Sequence, residues 1–225
     1  MTAPPAGPTA LPDGYTLHRF DEIDGTNAEA LRAGAPDRHV FIARRQTAGR
    51  GRQGREWVSS DGNLFATICA VPPVGRNPAQ LAFVAGLAVL GALSESAPEI
   101  DFKLKWPNDV LASGRKLSGI LIEAGEQGCA VGIGVNLIAS PPDDTVRFPA
   151  TSVMSLTGDA GLLAPEVLLA AVCRHFSVWL DRWETDGFEP LRAVWLASAH
   201  GIGDTIAAST GSDRIEGLFK GLDAE

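Results

Sequence analysis

The segment GRGRQGREWVSSDGNLFATI, residues 49–68, decides between two fold classes. Gly49, Gly51 and Gly54 spell the G-x-G-x-x-G pattern of a dinucleotide-binding turn. Such a turn needs a strand before it, a helix that opens on it, and an acidic residue about 20 positions further on. Here the chain runs from Gly54 through a turn into a strand and offers no helix. The context therefore excludes a Rossmann fold.

The same loop is also not a Walker loop, because no Gly-Lys-Ser or Gly-Lys-Thr follows its glycines. Its glycines let the backbone approach a ligand, and guanidinium groups fit carboxylate or phosphate oxygens. The arginines of this region are Arg44, Arg45, Arg50, Arg52 and Arg55. The loop predicts an anion-binding site that is mobile before its ligand binds. A solvated basic turn and an RNA-binding arginine-glycine segment are the alternatives.

The composition is that of a globular protein: 225 residues, 45% hydrophobic and 20% charged. A net charge of −8 argues against a protein that coats nucleic acid, because such binding neutralises phosphates with cations. The longest apolar run, residues 81–93, is too short to span a bilayer, and the N-terminus lacks a signal-peptide pattern. We therefore expect a cytoplasmic protein without a membrane partner. Cys69, Cys129 and Cys173 are expected to be buried and reduced.

The hydrophobic pattern predicts helices and strands that share one core. Helices are expected at 26–34, 78–96, 165–187 and 188–199, and strands at 39–46, 63–71, 101–106, 116–125 and 129–137. The last three strands are too close for crossover helices, which favours an antiparallel or mixed sheet packed by helices. Residues 1–14, with four prolines, are expected to be a flexible tail. Residues 200–225 are expected to form a small β unit that lacks a strand.

Three further stretches place polar side chains at or within these strands. They are KWPNDV (105–110) with Lys105, Asn108 and Asp109, KLSGILIE (116–123) with Lys116 and Gly119, and GIGVNL (132–137) with Asn136. Each is weak alone. In this order and spacing the chain resembles the biotin protein ligases through GTN (25–27), Q-x-x-GRGRxGRxW (46–57), KWPND (105–109), KLSGIL (116–121) and GIGVN (132–136). The resemblance covers roughly residues 15–200 and its motifs are highly specific.

The resemblance implies an α+β catalytic domain like that of class II aminoacyl-tRNA synthetases at 15–199, and a partial SH3-like β domain at 200–225. The implied substrates are biotin and ATP with Mg²⁺, and the implied partner is the biotin carboxyl carrier protein of acetyl-CoA carboxylase. A homodimer is left open. Only about fourteen residues precede the catalytic domain, fewer than the winged helix of the repressor members needs. Neither repression nor nucleic-acid binding is therefore expected.

The resemblance also assigns the site residue by residue. Biotin would be bound by Gly25, Thr26, Asn27, Gln46, Arg50, Gly51, Arg52, Lys116 and Gly119, and ATP by Arg55, Trp57, Lys105, Asn108 and Asn136. Arg52 would close the loop over the adenylate, and Lys116 would bridge the biotin carboxyl group and the α-phosphate, so these two are the expected catalytic residues. Asp109 is the expected magnesium contact. Gly25 stands where the family commonly has serine, so one hydrogen bond to biotin is absent.

Two other functions remain as alternatives. A lipoate ligase or octanoyl transferase shares the broad fold, but the arginines between the loop glycines speak against it. A non-catalytic binder or a DNA-binding repressor would require a basic recognition helix, which the sequence does not offer.

Overall fold

The computed structural model describes residues 10–159, 163–210 and 213–223. Its centre is a seven-stranded sheet. In chain order the strands are β1 (Thr16–Ile23), β2 (His39–Gln46), β3 (Leu64–Ala70), β4 (Phe102–Lys105), β5 (Asp109–Ala112), β6 (Arg115–Ala124) and β7 (Cys129–Val135). The spatial order is β1-β2-β3-β7-β6-β5-β4, with β1 and β2 parallel and all other neighbours antiparallel. The predicted mixed sheet is confirmed. Most of the expected flexible tail, residues 1–9, lies outside the described residues.

Five helices accompany the sheet within the described residues. They are α1 (Thr26–Arg32), α2 (Leu81–Ser96), α3 (Val153–Thr157), α4 (Pro165–Asp186) and α5 (Glu189–Ala197). The ends of α4 follow from sequence, because Pro165 occupies the first helical position and Gly187, with φ 83°, ends the helix. A 3₁₀ turn, Pro78–Gln80, precedes α2, and Asn77 caps that turn through its side chain.

The helices divide between the two faces of the sheet. Helices α2 and α4 pack against each other and cover one face, where the main core lies. Helix α1 covers part of the other face through a small cluster of Ala30, Ala35, Phe41, Cys69 and Ala130. The three cysteines are buried and free, as expected. The remainder of the α1 face is left for the site described below.

The apolar run at residues 81–93 lies within a longer helical segment. The turn at Pro78 extends α2 to a 19-residue helical segment that meets the length and composition of a membrane span. More than half of that segment is buried inside the protein. Its packing against the sheet and α4 accounts for its apolar sequence.

Two strands escaped the sequence-based prediction. Strand β1 is an edge strand whose residues are exposed or half-buried, with Arg19, Asp21 and Glu22 among them, so its apolar alternation is weak. Strand β5 has only four residues and pairs back on β4 after a tight turn at residues 106–108. Pro107 lies in this turn and cannot extend β4, but the chain re-enters the sheet directly after it.

The C-terminal segment forms a separate two-stranded antiparallel sheet from β8 (Thr205–Thr210) and β9 (Asp213–Leu218). This hairpin agrees with the expected β unit at 200–225, although residues 211–212 and 224–225 lie outside the described residues. Phe219, which follows the hairpin, is buried against the main core. The hairpin is thereby attached to the larger sheet.

Candidate active site

A cavity of about 1020 Å³ lies on the α1 face of the sheet. Every residue that the sequence assigns to the site lines this cavity: Gly25, Thr26, Asn27, Gln46, Arg50, Gly51, Arg52, Arg55, Trp57, Lys105, Asn108, Asp109, Lys116, Gly119 and Asn136. They come from α1, four strands and the loops between them, and are separated by up to 111 positions in sequence (136 − 25). The fold therefore brings the predicted residues together.

One end of the cavity is polar and uncharged. Thr26 donates from its backbone N–H (2.9 Å) and its hydroxyl (3.3 Å) to Gln46 Oε1. The amide of Asn27 donates to the carbonyl oxygen of Leu121 at 3.2 Å. Thr26 and Asn27 are both buried. Because each side chain is held by a neighbour, this end presents hydrogen-bonding groups in fixed directions.

Thr67 supports two residues of this end of the cavity, although it does not line the cavity and no motif pointed to it. Its hydroxyl lies 2.6 Å from Asn27 Oδ1 and 2.9 Å from Thr26 Oγ1, and the residue is fully buried. Its signal in the sequence is a hydroxyl inside the apolar strand β3, the same kind of signal that singled out Asn136. A buried hydroxyl of this kind needs partners, and here the partners are two predicted ligand-binding residues.

Glycines on the sheet leave space for other side chains at the floor of the cavity. Gly119 of β6 and Gly134 of β7 are directly paired, and the indole of Trp57 lies across both. A Cβ atom would sit 2.8 Å from the Trp57 ring at Gly119 and 2.5 Å from it at Gly134. At Gly132 a Cβ atom would collide with Asn27. The sheet surface therefore has room for the side chains of Trp57 and Asn27 because these three positions are glycines, which have no side chain.

A β-bulge directs Lys116 into the cavity. Val110 of β5 pairs with Ser118 and Leu111 pairs with Lys116, so Leu117 is an extra residue on β6. In a regular strand residues 116 and 119 would face opposite sides of the sheet. The extra residue places both on the cavity side, as the 3.1 Å approach of Lys116 Nζ to the Cβ position of Gly119 shows.

The other end of the cavity is cationic around one carboxylate. Lys116 Nζ lies 2.6 Å from Asp109 Oδ1, and Lys105 Nζ lies 4.0 Å from Asp109 Oδ2. Burial lowers the pKa of Lys105; the carboxylate of Asp109 opposes this shift, and the charges of Lys116, Arg55 and Arg147 add to it. Excess positive charge in a partly buried space favours an anionic ligand, which would relieve the repulsion.

The glycine-rich loop crosses the cavity and is tied down at several points. Gly51 N–H donates to the Arg55 carbonyl oxygen at 2.7 Å, which tightens the loop. Arg52 Nη1 donates to Asn108 Oδ1 at 3.2 Å, and Asn108 in turn donates to the carbonyl oxygen of Ile120 at 2.6 Å. Arg52 therefore connects the loop to the turn between β4 and β5. Its side chain is exposed on the solvent side.

Asn136 and Gly25 line the cavity but also have structural roles, one in a hydrogen bond to a loop and the other at a helix terminus. The Asn136 amide donates to the carbonyl oxygen of Thr151 at 3.1 Å, and Asn136 is buried. Gly25 is the N-cap of α1 and supplies no side-chain cap. Its φ of −178° is open to any residue.

The sequence matches a known protein family and several of its characterised members. The sequence model of the biotin/lipoate A/B protein ligase family matches residues 21–137, slightly more than half of the chain. The chain is 43% identical to a biotin–[acetyl-CoA-carboxylase] ligase of Paracoccus denitrificans over 89% of this chain and 88% of that protein. It is 32% identical to the bifunctional ligase/repressor BirA of Bacillus subtilis (strain 168), over 94% of this chain and 68% of that protein.

Solved structures show the same likeness in three dimensions. The biotin protein ligase of Aquifex aeolicus in complex with biotin and ATP superimposes with a TM-score of 0.83 at 31% identity. The superposition covers 92% of this chain and 88% of that one. Together with the family match and the 43% identical relative, this establishes that the chain belongs to the biotin/lipoate A/B protein ligase family.

Proposed function

We propose that this chain is an ATP-dependent biotin protein ligase. In the first step the biotin carboxylate attacks the α-phosphorus of ATP, which forms biotinyl-5′-AMP and releases pyrophosphate. In the second step a lysine amine of a carrier protein attacks the acyl carbon of that mixed anhydride, which forms an amide and releases AMP. The relatives named as biotin ligases and the solved complex with biotin and ATP support both substrates.

One observation carries the proposal: a single cavity joins a neutral polar end to a cationic end. The groups around Thr26 and Gln46 suit the ureido ring of biotin, whose polar edge must be satisfied inside a pocket. Lys116 belongs to the cationic end, and the proposal puts the reacting carboxylate and phosphate there. Two anions repel, and nucleotidyl transfer is catalysed mainly by positioning and electrostatic stabilisation. We infer that Lys116 neutralises both reacting groups.

The loop would act on the intermediate. Arg52 would contact the adenylate and hold the loop over it, so that water cannot hydrolyse the anhydride before the carrier arrives. Trp57 would face the adenine and Lys105 the phosphates. The neighbouring contact of Arg52 with Asn108 supports closure toward the nucleotide side of the cavity.

Magnesium would enter with the triphosphate of ATP. Mg²⁺ in such sites is held by one or two carboxylates together with substrate phosphates, and Asp109 is suitably placed between Lys105 and Lys116. Within the described residues no cluster of three potential metal ligands occurs, which fits an ion brought by the nucleotide rather than a resident one. The ion would screen phosphate charge and favour the departure of pyrophosphate.

The finer description of the fold and partner belongs to the same proposal. Residues 15–199 would form a catalytic domain like that of class II aminoacyl-tRNA synthetases, and 200–225 a partial SH3-like domain that begins with the hairpin of β8 and β9. The acceptor would be the carrier protein of acetyl-CoA carboxylase, as the name of the Paracoccus relative suggests. We expect the reaction to occur in the cytoplasm, without nucleic-acid or membrane partners. Sedimentation would decide between a monomer and a homodimer.

The test is pyrophosphate release with biotin or lipoate as the acid substrate. We expect release with biotin, and a loss of about 10²- to 10³-fold in kcat for Lys116→Ala. Arg52→Ala should let biotinyl-5′-AMP escape into solution and lower the yield of the second step. Lys103→Ala and Arg45→Ala, which lie outside the cavity and pair with other carboxylates, are the matched controls.

Three results would contradict the proposal. Wild-type rates in both cavity variants would show that the loop and Lys116 do not act on the reacting groups. A preference for lipoate over biotin would favour the lipoate ligase alternative, and biotin binding without pyrophosphate release would favour a non-catalytic binder.

A further inference from the structure

Glu123 ends the stretch KLSGILIE, and the sequence assigns it no role, yet it contacts two residues of the cavity wall. Its Oε2 accepts a hydrogen bond from Asn27 Nδ2 at 2.8 Å, and its Oε1 lies 3.3 Å from Arg50 Nη2. It stands on β6 two residues beyond Leu121, so both side chains point to the α1 face. Glu123 does not itself line the cavity. Any influence on a ligand must therefore pass through its two partners.

The contact with Asn27 fixes which way the amide points. A carboxylate and the carbonyl oxygen of Leu121 only accept, so the amide nitrogen must face them. The carbonyl oxygen Oδ1 then faces the Thr67 hydroxyl, at 2.6 Å. An amide oxygen has two lone pairs, and one of them stays available for a donor in the cavity. Glu123 thus makes Asn27 an acceptor toward a ligand N–H group.

The contact with Arg50 holds the glycine-rich loop. Arg50 is the first arginine of the loop, and its backbone pairs with Glu56 across the loop. The loop between them contains glycines and resists movement weakly. An ion pair from Arg50 to a carboxylate on β6 therefore connects the moving part of the site to the rigid sheet.

We propose that Glu123 is a positioning residue that orients the Asn27 amide toward biotin and tethers the glycine-rich loop through Arg50. The first half rests on the proposed function, whereas the tether does not depend on any ligand. One carboxylate thereby joins recognition of the ureido ring to closure of the loop.

Three variants separate the two halves. Glu123→Gln keeps a carbonyl oxygen for Asn27 but loses the charge that holds Arg50. Glu123→Ala removes both contacts. Glu126→Gln makes the same change of charge at an exposed position in the turn between β6 and β7 and is the matched control.

The tether is measured by trypsin cleavage after the loop arginines in the ligand-free protein. Cleavage follows the population of open loop, and a partly exposed ion pair shifts that population modestly. We expect both Glu123 variants to be cut about two- to fivefold faster than the wild type. Glu126→Gln should be cut at the wild-type rate.

The orientation of Asn27 is measured by the KM for biotin. Loss of one hydrogen bond that orients a ligand-binding group should raise this KM about three- to tenfold in Glu123→Ala. In Glu123→Gln it should stay at the wild-type value, and the KM for ATP should stay unchanged in both. If Glu123→Ala does not fold, Glu123→Asp, which keeps the charge but withdraws it by one carbon, takes its place.

The inference is overturned if Glu123→Gln is cut at the wild-type rate, or if Glu123→Ala keeps the wild-type KM for biotin. It is also overturned if the KM values for biotin and ATP rise together, because that pattern indicates general disorder. A wild type that releases no pyrophosphate with biotin would instead refute the proposed function, and the trypsin comparison would still test the tether.

Discussion

The ammonium group of Lys116 lies 2.6 Å from a carboxylate oxygen of Asp109, and both side chains are mostly buried. Before substrates bind, the lysine proposed to neutralise the reacting anions is thus already neutralised by the protein. Substrate oxygens must share or replace this partner. Magnesium bound to Asp109 would release Lys116 for that task, which couples the metal to the lysine.

Asp109→Asn tests this coupling. We expect the Mg²⁺ concentration for half-maximal pyrophosphate release to rise by about tenfold, because a neutral amide is a weaker ligand for a hard cation than a carboxylate. The KM for biotin should change much less. Asp101→Asn, an exposed aspartate paired with Lys103, is the control. An unchanged Mg²⁺ requirement would leave Asp109 with only the role of holding Lys116.

Gly134→Ala should disturb the cavity without touching a charged residue. Its Cβ atom would lie 2.5 Å from the Trp57 ring, so the ring must leave the floor of the cavity. We expect a shift in tryptophan fluorescence and a higher KM for ATP. Gly217→Ala is the control, because a Cβ atom there meets nothing within 4 Å. Identical emission spectra for wild type and Gly134→Ala would show that the ring does not depend on this glycine.

Loss of the proton of Lys105 should weaken ATP binding at alkaline pH. Burial holds the pKa of Lys105 below its usual 10.5, so the folded protein loses this proton first. Between the lowered and the usual pKa the unfolded chain binds more protons, so this group makes the free energy of unfolding rise with pH in that window. Over the same window the cavity loses a cation.

The KM for ATP should therefore increase with pH, with a midpoint below 10.5. Lys105→Arg, whose guanidinium stays charged, should flatten the profile. The measurement is the KM for ATP from pH 7 upward, at constant ionic strength. A profile that Lys105→Arg leaves unchanged would assign the titration to another group.

Gly25→Ser should stabilise the protein and improve biotin binding. A Cβ atom at this position meets only ordinary contacts, the nearest at 3.7 Å, and the backbone angle suits serine. The hydroxyl can accept from the first turn of α1 and donate into the cavity. Relative to Gly25→Ala we expect about 1 kcal/mol of added stability from the cap. The KM for biotin should fall about two- to tenfold.

Thermal melting and biotin kinetics of both Gly25 variants measure the two effects. Equal melting temperatures for the serine and alanine variants would mean that the hydroxyl does not cap α1. An unchanged KM would mean that it does not reach the ligand.

The residues that line the cavity could be predicted from the sequence because most of them lie in short contiguous motifs. GRGRQGREW and KWPND each carry several cavity-lining side chains within a few positions, so they can be recognised before the fold is known. Thr67 and Glu123 could not be found in this way. Their shared partner Asn27 is 40 and 96 positions away, and only the strand register brings them together.

The fold was predictable where the apolar signal is strong, as in the almost wholly apolar α2 and the amphipathic α4, and not where that signal is weak. Strand β1 carries charges because one of its edges is free, and its parallel pairing with β2 depends on the intervening α1. Strand β5 is recognisable only as the return of a hairpin. The bulge on β6 is likewise invisible in the sequence, since it is defined by the partner strand.

That bulge makes the relative lengths of β5 and β6 as important as their composition. Insertion of one residue between Val110 and Leu111 would give Leu117 a partner, restore a regular pleat and turn Arg115 and Lys116 by half a period relative to Gly119. The ammonium group would then face the apolar side of the sheet, although every motif residue would still be present. An alignment that scores only residue identity would count such a protein as intact, whereas its chemistry would be lost.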